Sequence, residues 1–74
     1  MAFQPAVLEI HQGDTVVWVN RDFVPHTATA GGKPAWTTGS LAQNQSGQYV
    51  AHRTGELPYF CEFHPVMKGT LIVR

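Results

Sequence analysis

Polar and apolar positions alternate along this chain in short runs, and Gly, Pro and small polar residues separate the runs. At 6–11, Leu8 and Ile10 fall on one parity and Glu9 and His11 on the other, the two-residue repeat of a half-buried strand. Gln12-Gly13-Asp14 reads as a turn, and 15–20 is rich in β-branched residues and tryptophan, as a sandwich strand is. Residues 27–30 predict a further short strand, ended by Gly31-Gly32-Lys33-Pro34. The polar stretch 36–46 predicts mostly loop, with Leu41 as its anchor. Alternation resumes at 48–53, Thr54-Gly55 turns the chain, and 56–61 and 68–73 read as the last two strands. There is no helical period, repeat, linker or low-complexity run. Six or seven strands with frequent turns predict an all-β sandwich, one domain over 1–74.

Size makes that sandwich marginal. A chain of 74 residues buries only roughly 60% of its unfolded surface on folding, while ordering costs about 1.5 kcal/mol per residue. With a single cysteine there is no internal disulfide. A metal that grips only the folded chain is the remaining brace. Five Lys and Arg balance five Asp and Glu, and no charge run exists. Nothing therefore points to nucleic acid or an anionic membrane. No apolar stretch is long enough to span a bilayer, and the first five residues lack the basic start and apolar stretch of a signal peptide.

Candidate chemistry gathers between Tyr59 and Met67. Cys61, His64 and Met67 follow one another at intervals of three, and His26, set by Pro25, is a second histidine upstream. Thiolate, imidazole and a long, weak thioether suit a mononuclear copper moving between Cu(I) and Cu(II). Each residue also has a bland reading. A lone cysteine is commonly a small buried hydrophobe, and a methionine commonly fills a core gap. Spacing raises the ligand reading, because Cys61 and His64 in one short loop reach one ion without strain. Leu57, Tyr59 and Cys61 share a strand face. His26 joins them only if two distant strand ends become neighbours. Zinc is the rival ion, but structural zinc wants four closed Cys, His or carboxylate donors, and here the fourth is methionine. Glu62 points away from Cys61 if the strand continues. His11 and His52 fall on polar parities and read as surface residues; Met1 reads as the initiator.

The order His26…Cys61-x-x-His64-x-x-Met67, with Gly13-Asp14-Thr15-Val16-Val17-Trp18-Val19-Asn20 before it and Gly69-Thr70-Leu71-Ile72-Val73 after it, resembles the cupredoxins. These are the small blue-copper electron carriers, and the short ligand loop with its His-Pro pair is most similar to amicyanin- and plastocyanin-like members. The resemblance implies a Greek-key β-sandwich and one type 1 copper ion held by His26, Cys61, His64 and Met67. It implies electron transfer without substrate chemistry, because those side chains fill the coordination sphere. It also implies a periplasmic or other extracytoplasmic setting. A redox partner would dock on an apolar patch of Val24, Pro25, Pro65 and Val66 around His64, with Lys68 and Arg21 steering it. Phe60 is a second candidate route for the electron.

Three departures from the family pattern carry expectations. The usual first strand, which precedes the Phe3-Gln4-Pro5 segment, is absent from this sequence, so a strand edge should be bare. Bare edges invite pairing, hence a homodimer or strand swap. After the first histidine, Thr27 replaces the usual asparagine, and its shorter hydroxyl should bridge the two ligand loops less well. Phe63 replaces a proline and keeps an N–H that could bond the sulfur and raise the potential. The rival readings are a copper-binding and transport module, the electron-feeding domain of a larger copper enzyme and, last, a metal-free binding sandwich.

Overall fold

Residues 2–32 and 35–74 are described in the computed structural model; the predicted turn at Gly31-Gly32-Lys33-Pro34 lies partly outside them, as does Met1. Seven strands form: β1 (Val7–Ile10), β2 (Thr15–Val19), β3 (Thr29–Ala30), β4 (Trp36–Thr37), β5 (Ser46–Val50), β6 (Gly55–Phe60) and β7 (Lys68–Val73). Five of them make one sheet in the order β1-β7-β6-β3-β4, and β2 pairs with β5 in the other. The chain crosses between sheets four times, as an all-β sandwich of Greek-key type does. β1 runs parallel to β7, and every other strand pair is antiparallel. Among the described residues no helix is long and apolar enough to cross a membrane.

Three elements differ from the sequence reading, each for a local reason. The strand expected at 27–30 shrinks to two residues because the backbone before it is used elsewhere. Thr27 donates its N–H to Cys61 Sγ at 3.4 Å, and Ala28 donates to Thr38 Oγ1 at 3.0 Å. The expected loop at 36–46 contains β4, and Leu41 is indeed its buried anchor, bridged to His26. The strand expected at 48–53 ends at Val50 because Ala51 bonds the turn at Gly13 and Asp14 instead.

Between the sheets, Val16, Ala28, Ala30, Ala51, Tyr59, Leu71 and Val73 form the core. Aromatic rings extend it: Trp36 stacks on Tyr49 at 4.2 Å, and Trp18 and Phe3 meet Tyr59 edge-on at 5.3 and 4.7 Å. Tyr59 lies across from Gly69, where a Cβ would overlap its ring, so the close approach of β6 and β7 needs glycine. The outer edge of β2 has no strand partner among the described residues. A groove of about 590 Å³, lined by Ala2, Phe3 and Gln4 together with residues 17–22, runs past it and reaches His26 and Met67.

Candidate metal centre

β3 and β6 pair at Thr29 and Phe60. That register sets the residues just before β3 beside those just after β6, and so sets His26 and Thr27 beside Cys61 and Glu62. The first of these segments leaves β2 at Asn20, which is buried. The Asn20 side-chain amide donates to the carbonyls of Val24 at 2.9 Å and Leu41 at 2.8 Å, and its Oδ1 accepts the Asp22 N–H at 2.8 Å. His26 and Leu41 then exchange two backbone bonds of 3.1 and 2.7 Å. An irregular five-residue turn, stiffened by Pro25, is thereby tied at both ends.

The second segment is a turn closed on itself. The Cys61 N–H donates to the Met67 carbonyl at 3.0 Å, Met67 to His64 at 2.8 Å, and His64 to Cys61 at 3.2 Å. Pro65 sits where no N–H is required of it.

These two segments bring His26, Cys61 and His64 together, with one donor atom from each within 4.8 Å of the others. Cys61 Sγ lies 3.5 Å from His26 Nδ1 and 3.7 Å from His64 Nδ1. An ion bound at about 2.3 Å from sulfur and about 2.0 Å from nitrogen, with angles between tetrahedral and trigonal, requires S···N separations of about 3.5–3.7 Å. The chain therefore holds these donors at metal-binding spacing. Met67 is buried at the end of the same loop and lines the groove together with His26. A thiolate, two imidazoles and a thioether form a soft donor set suited to copper. Glu62 offers no fourth hard ligand, since its carboxylate is turned to the hydroxyls of Thr29 and Thr37.

Electrostatics favours the ligating form of the thiol. Burial pushes the Cys61 pKa up, but hydrogen bonds from the Thr27 N–H and from His26 and His64 outweigh it and bring it down to about 6. For His26, burial pulls the pKa down, yet the bonds to Cys61 and Asp22 leave it above the ordinary value. Asp22 Oδ2 meets His26 Nε2 at 2.9 Å, fixing the ring so that Nδ1 faces the sulfur.

Two expectations about the surroundings change. Thr27 does bridge the loops: its Oγ1 accepts the Glu62 N–H at 2.9 Å, since the register brings the two so close that a longer side chain is unnecessary. Phe63 is not among the groups that hydrogen-bond the sulfur; the Thr27 N–H and the two imidazoles lead there, with a lesser contribution from the His64 backbone, whose N–H also closes the turn onto the Cys61 carbonyl. Pro25 and Pro65 flank the ligands on the exposed side, with Val66 and Phe63 exposed beside Pro65. Sequence reasoning missed Asn20 and Asp22. The available signal was Asn-x-Asp directly after a strand, the spacing of an Asx turn.

Comparison with known proteins agrees with this geometry. A cupredoxin-like domain family model matches residues 1–73, so the chain belongs to the cupredoxin-like family. It is similar to amicyanin from Paracoccus denitrificans, 31% identical over 78 residues, and to amicyanin from Paracoccus versutus, 30% identical. All of this chain is covered in both, but it spans only 60% and 59% of their lengths. Among solved structures, a reduced amicyanin variant and an amicyanin variant in its Cu(I) form each superpose with a TM-score of 0.92. Their identities are 29% and 31%, and the match covers all of this chain and 74% of each of theirs.

Proposed function

We propose that residues 1–74 act as one electron-carrying domain in which His26, Cys61, His64 and Met67 hold a single type 1 copper ion. When bound, copper supplies a one-electron couple between Cu(I) and Cu(II). The chain's part is to keep the donors still. The observation that carries this reading is the 3.5 and 3.7 Å spacing of the sulfur from the two imidazole nitrogens, already at ligand distance within two hydrogen-bonded turns. Donors fixed in advance need little rearrangement between oxidation states, which favours fast electron exchange over substrate chemistry. Membership of the cupredoxin-like family and the likeness to amicyanin support it. The family resemblance also argues for an extracytoplasmic setting.

A redox partner docks where apolar side chains surround His64. Val66 is 93% exposed, a large apolar side chain left in water beside a candidate ligand, as a transient interface requires. Lys68 and Arg21 steer the approach. The bare edge of β2, with Val17 and Val19 exposed on it, supports a homodimer or strand exchange there. Sedimentation at high micromolar concentration checks this, and a monomer rejects it.

Copper transport is the second reading, favoured by the half-buried position of His64, from which a ligand could be exchanged. Cyclic voltammetry and copper transfer to a chelator separate the two. Reversible, rapid voltammetry with copper release over hours supports a carrier of electrons; sluggish voltammetry with release in seconds supports a carrier of copper.

A further inference from the structure

Beside the candidate ligands, polar groups outside the metal cluster close into a ring. The Glu62 N–H donates to Thr27 Oγ1 at 2.9 Å, the Thr27 and Thr29 hydroxyls lie 3.0 Å apart, and Thr29 Oγ1 lies 3.0 Å from Glu62 Oε1. Thr37 braces the ring, with its Oγ1 2.8 Å from Thr29 Oγ1 and 3.4 Å from Glu62 Oε1. The Thr29 hydroxyl carries one proton, and the carboxylate is the strongest acceptor around it. That proton is aimed at both the Glu62 carboxylate and the Thr27 hydroxyl, with the carboxylate the stronger acceptor. Thr27 Oγ1 thus accepts from the Glu62 N–H and from Thr29, and the Thr29 hydroxyl links it to the Glu62 carboxylate.

What the ring joins gives it a role. Thr27 follows His26 and Glu62 follows Cys61, so the ring couples the two segments that carry the donors. Thr27 also owns the N–H that points at Cys61 Sγ, at 3.4 Å. That contact depends on where the Thr27 backbone is held. Glu62 itself touches none of the three donor atoms brought together at the site.

We propose that Glu62 is a positioning residue for the metal centre: by opening and closing the ring with Thr27 and Thr29, it holds the Thr27 N–H against the Cys61 sulfur and so tunes the electron density on the thiolate. The tuning rests on the copper reading above; the clamp does not. Loosening the clamp enriches the sulfur, favours Cu(II) and lowers the potential. Removing the Glu62 charge acts oppositely, so charge and clamp need separate variants. Glu62→Gln keeps an acceptor oxygen without the charge, Glu62→Ala removes both, and Thr29→Val breaks the ring while keeping the charge.

Two readouts decide it. In the metal-free protein, amide hydrogen exchange at Thr27 and Glu62 should quicken about five- to tenfold in Glu62→Ala and Thr29→Val, the loss of roughly one hydrogen bond. It should stay near wild type in Glu62→Gln. In the copper form, Thr29→Val should have a potential below wild type, and Glu62→Ala one below Glu62→Gln. Unchanged exchange in both ring-breaking variants overturns the clamp. Equal potentials in Glu62→Ala and Glu62→Gln, with Thr29→Val at the wild-type value, overturn the tuning. If the wild type takes no copper, the electron-carrier reading falls while exchange still decides the ring.

Discussion

Asn20 is the residue whose removal tests most severely how the first ligand segment is built. It makes three side-chain hydrogen bonds, two donated to the carbonyls of Val24 and Leu41 and one accepted from the Asp22 N–H. At about 1 kcal/mol net for each, Asn20→Ala costs roughly 3 kcal/mol, and more where the Val24 carbonyl is left without a donor. A domain of 74 residues has a total stability of about 4–11 kcal/mol at roughly 0.05–0.15 kcal/mol per residue. One side chain therefore governs a large share of it. Urea unfolding of the metal-free protein measures the loss. With a slope near 1 kcal/mol/M for so small a domain, the midpoint should fall by about 3 M. Asn20→Asp distinguishes hydrogen bonding from volume. It preserves size but replaces the nitrogen that donates to both carbonyls with a carboxylate oxygen facing them, so it should destabilise at least as much as Asn20→Ala. A loss below about 0.5 kcal/mol for Asn20→Ala, or a mild Asn20→Asp, would refute the reasoning.

Other outcomes follow from the same geometry. Asp22→Ala frees the His26 ring and should weaken metal binding about 10–100-fold in a competition titration; unchanged affinity removes Asp22 from the site. Because the Cys61 pKa is lowered from 9.0 to about 6, its contribution to stability is complete above pH 9.0 and vanishes as pH falls through about 6. The raised His26 works the other way, contributing below 6.5 and losing its effect as pH rises through its folded value. Thiolate absorbance of the metal-free protein should therefore titrate near pH 6, and a midpoint above 8 contradicts the hydrogen-bond account. Gly69→Ala drives a Cβ into the Tyr59 ring and should cost about 1–3 kcal/mol by overpacking, seen as a lower melting temperature.

Much of the fold is legible in the chain because strand patterning has a period of two and a sandwich buries one face. Leu8 and Ile10, and Leu57, Tyr59 and Cys61, lie on the more buried side that their parity assigns. Leu41 could be read as an anchor because it is apolar within a polar loop. Strand ends were less legible, since Thr27, Ala28 and Ala51 give their backbones to partners far away in sequence. At the site, residue types and spacing mark Cys61, His64 and Met67 as candidate donors, because few side chains make soft ones, whereas His26 is far away in sequence and is a candidate only through the family resemblance. What surrounds them depends on register. Thr27 reaches Glu62, and Glu62 reaches Thr29, only because β3 meets β6 at a single pair. Phe63 shows the converse: an available N–H is not a hydrogen bond until the turn aims it.

The most direct test is to add Cu(II) to the purified metal-free chain and record visible absorption and electron spin resonance, beside the Cys61→Ser variant. A thiolate bond to copper predicts an intense blue charge-transfer band with a small copper hyperfine splitting, both lost when the sulfur is replaced. A colourless cupric protein, or a blue band that survives without Cys61, would contradict it.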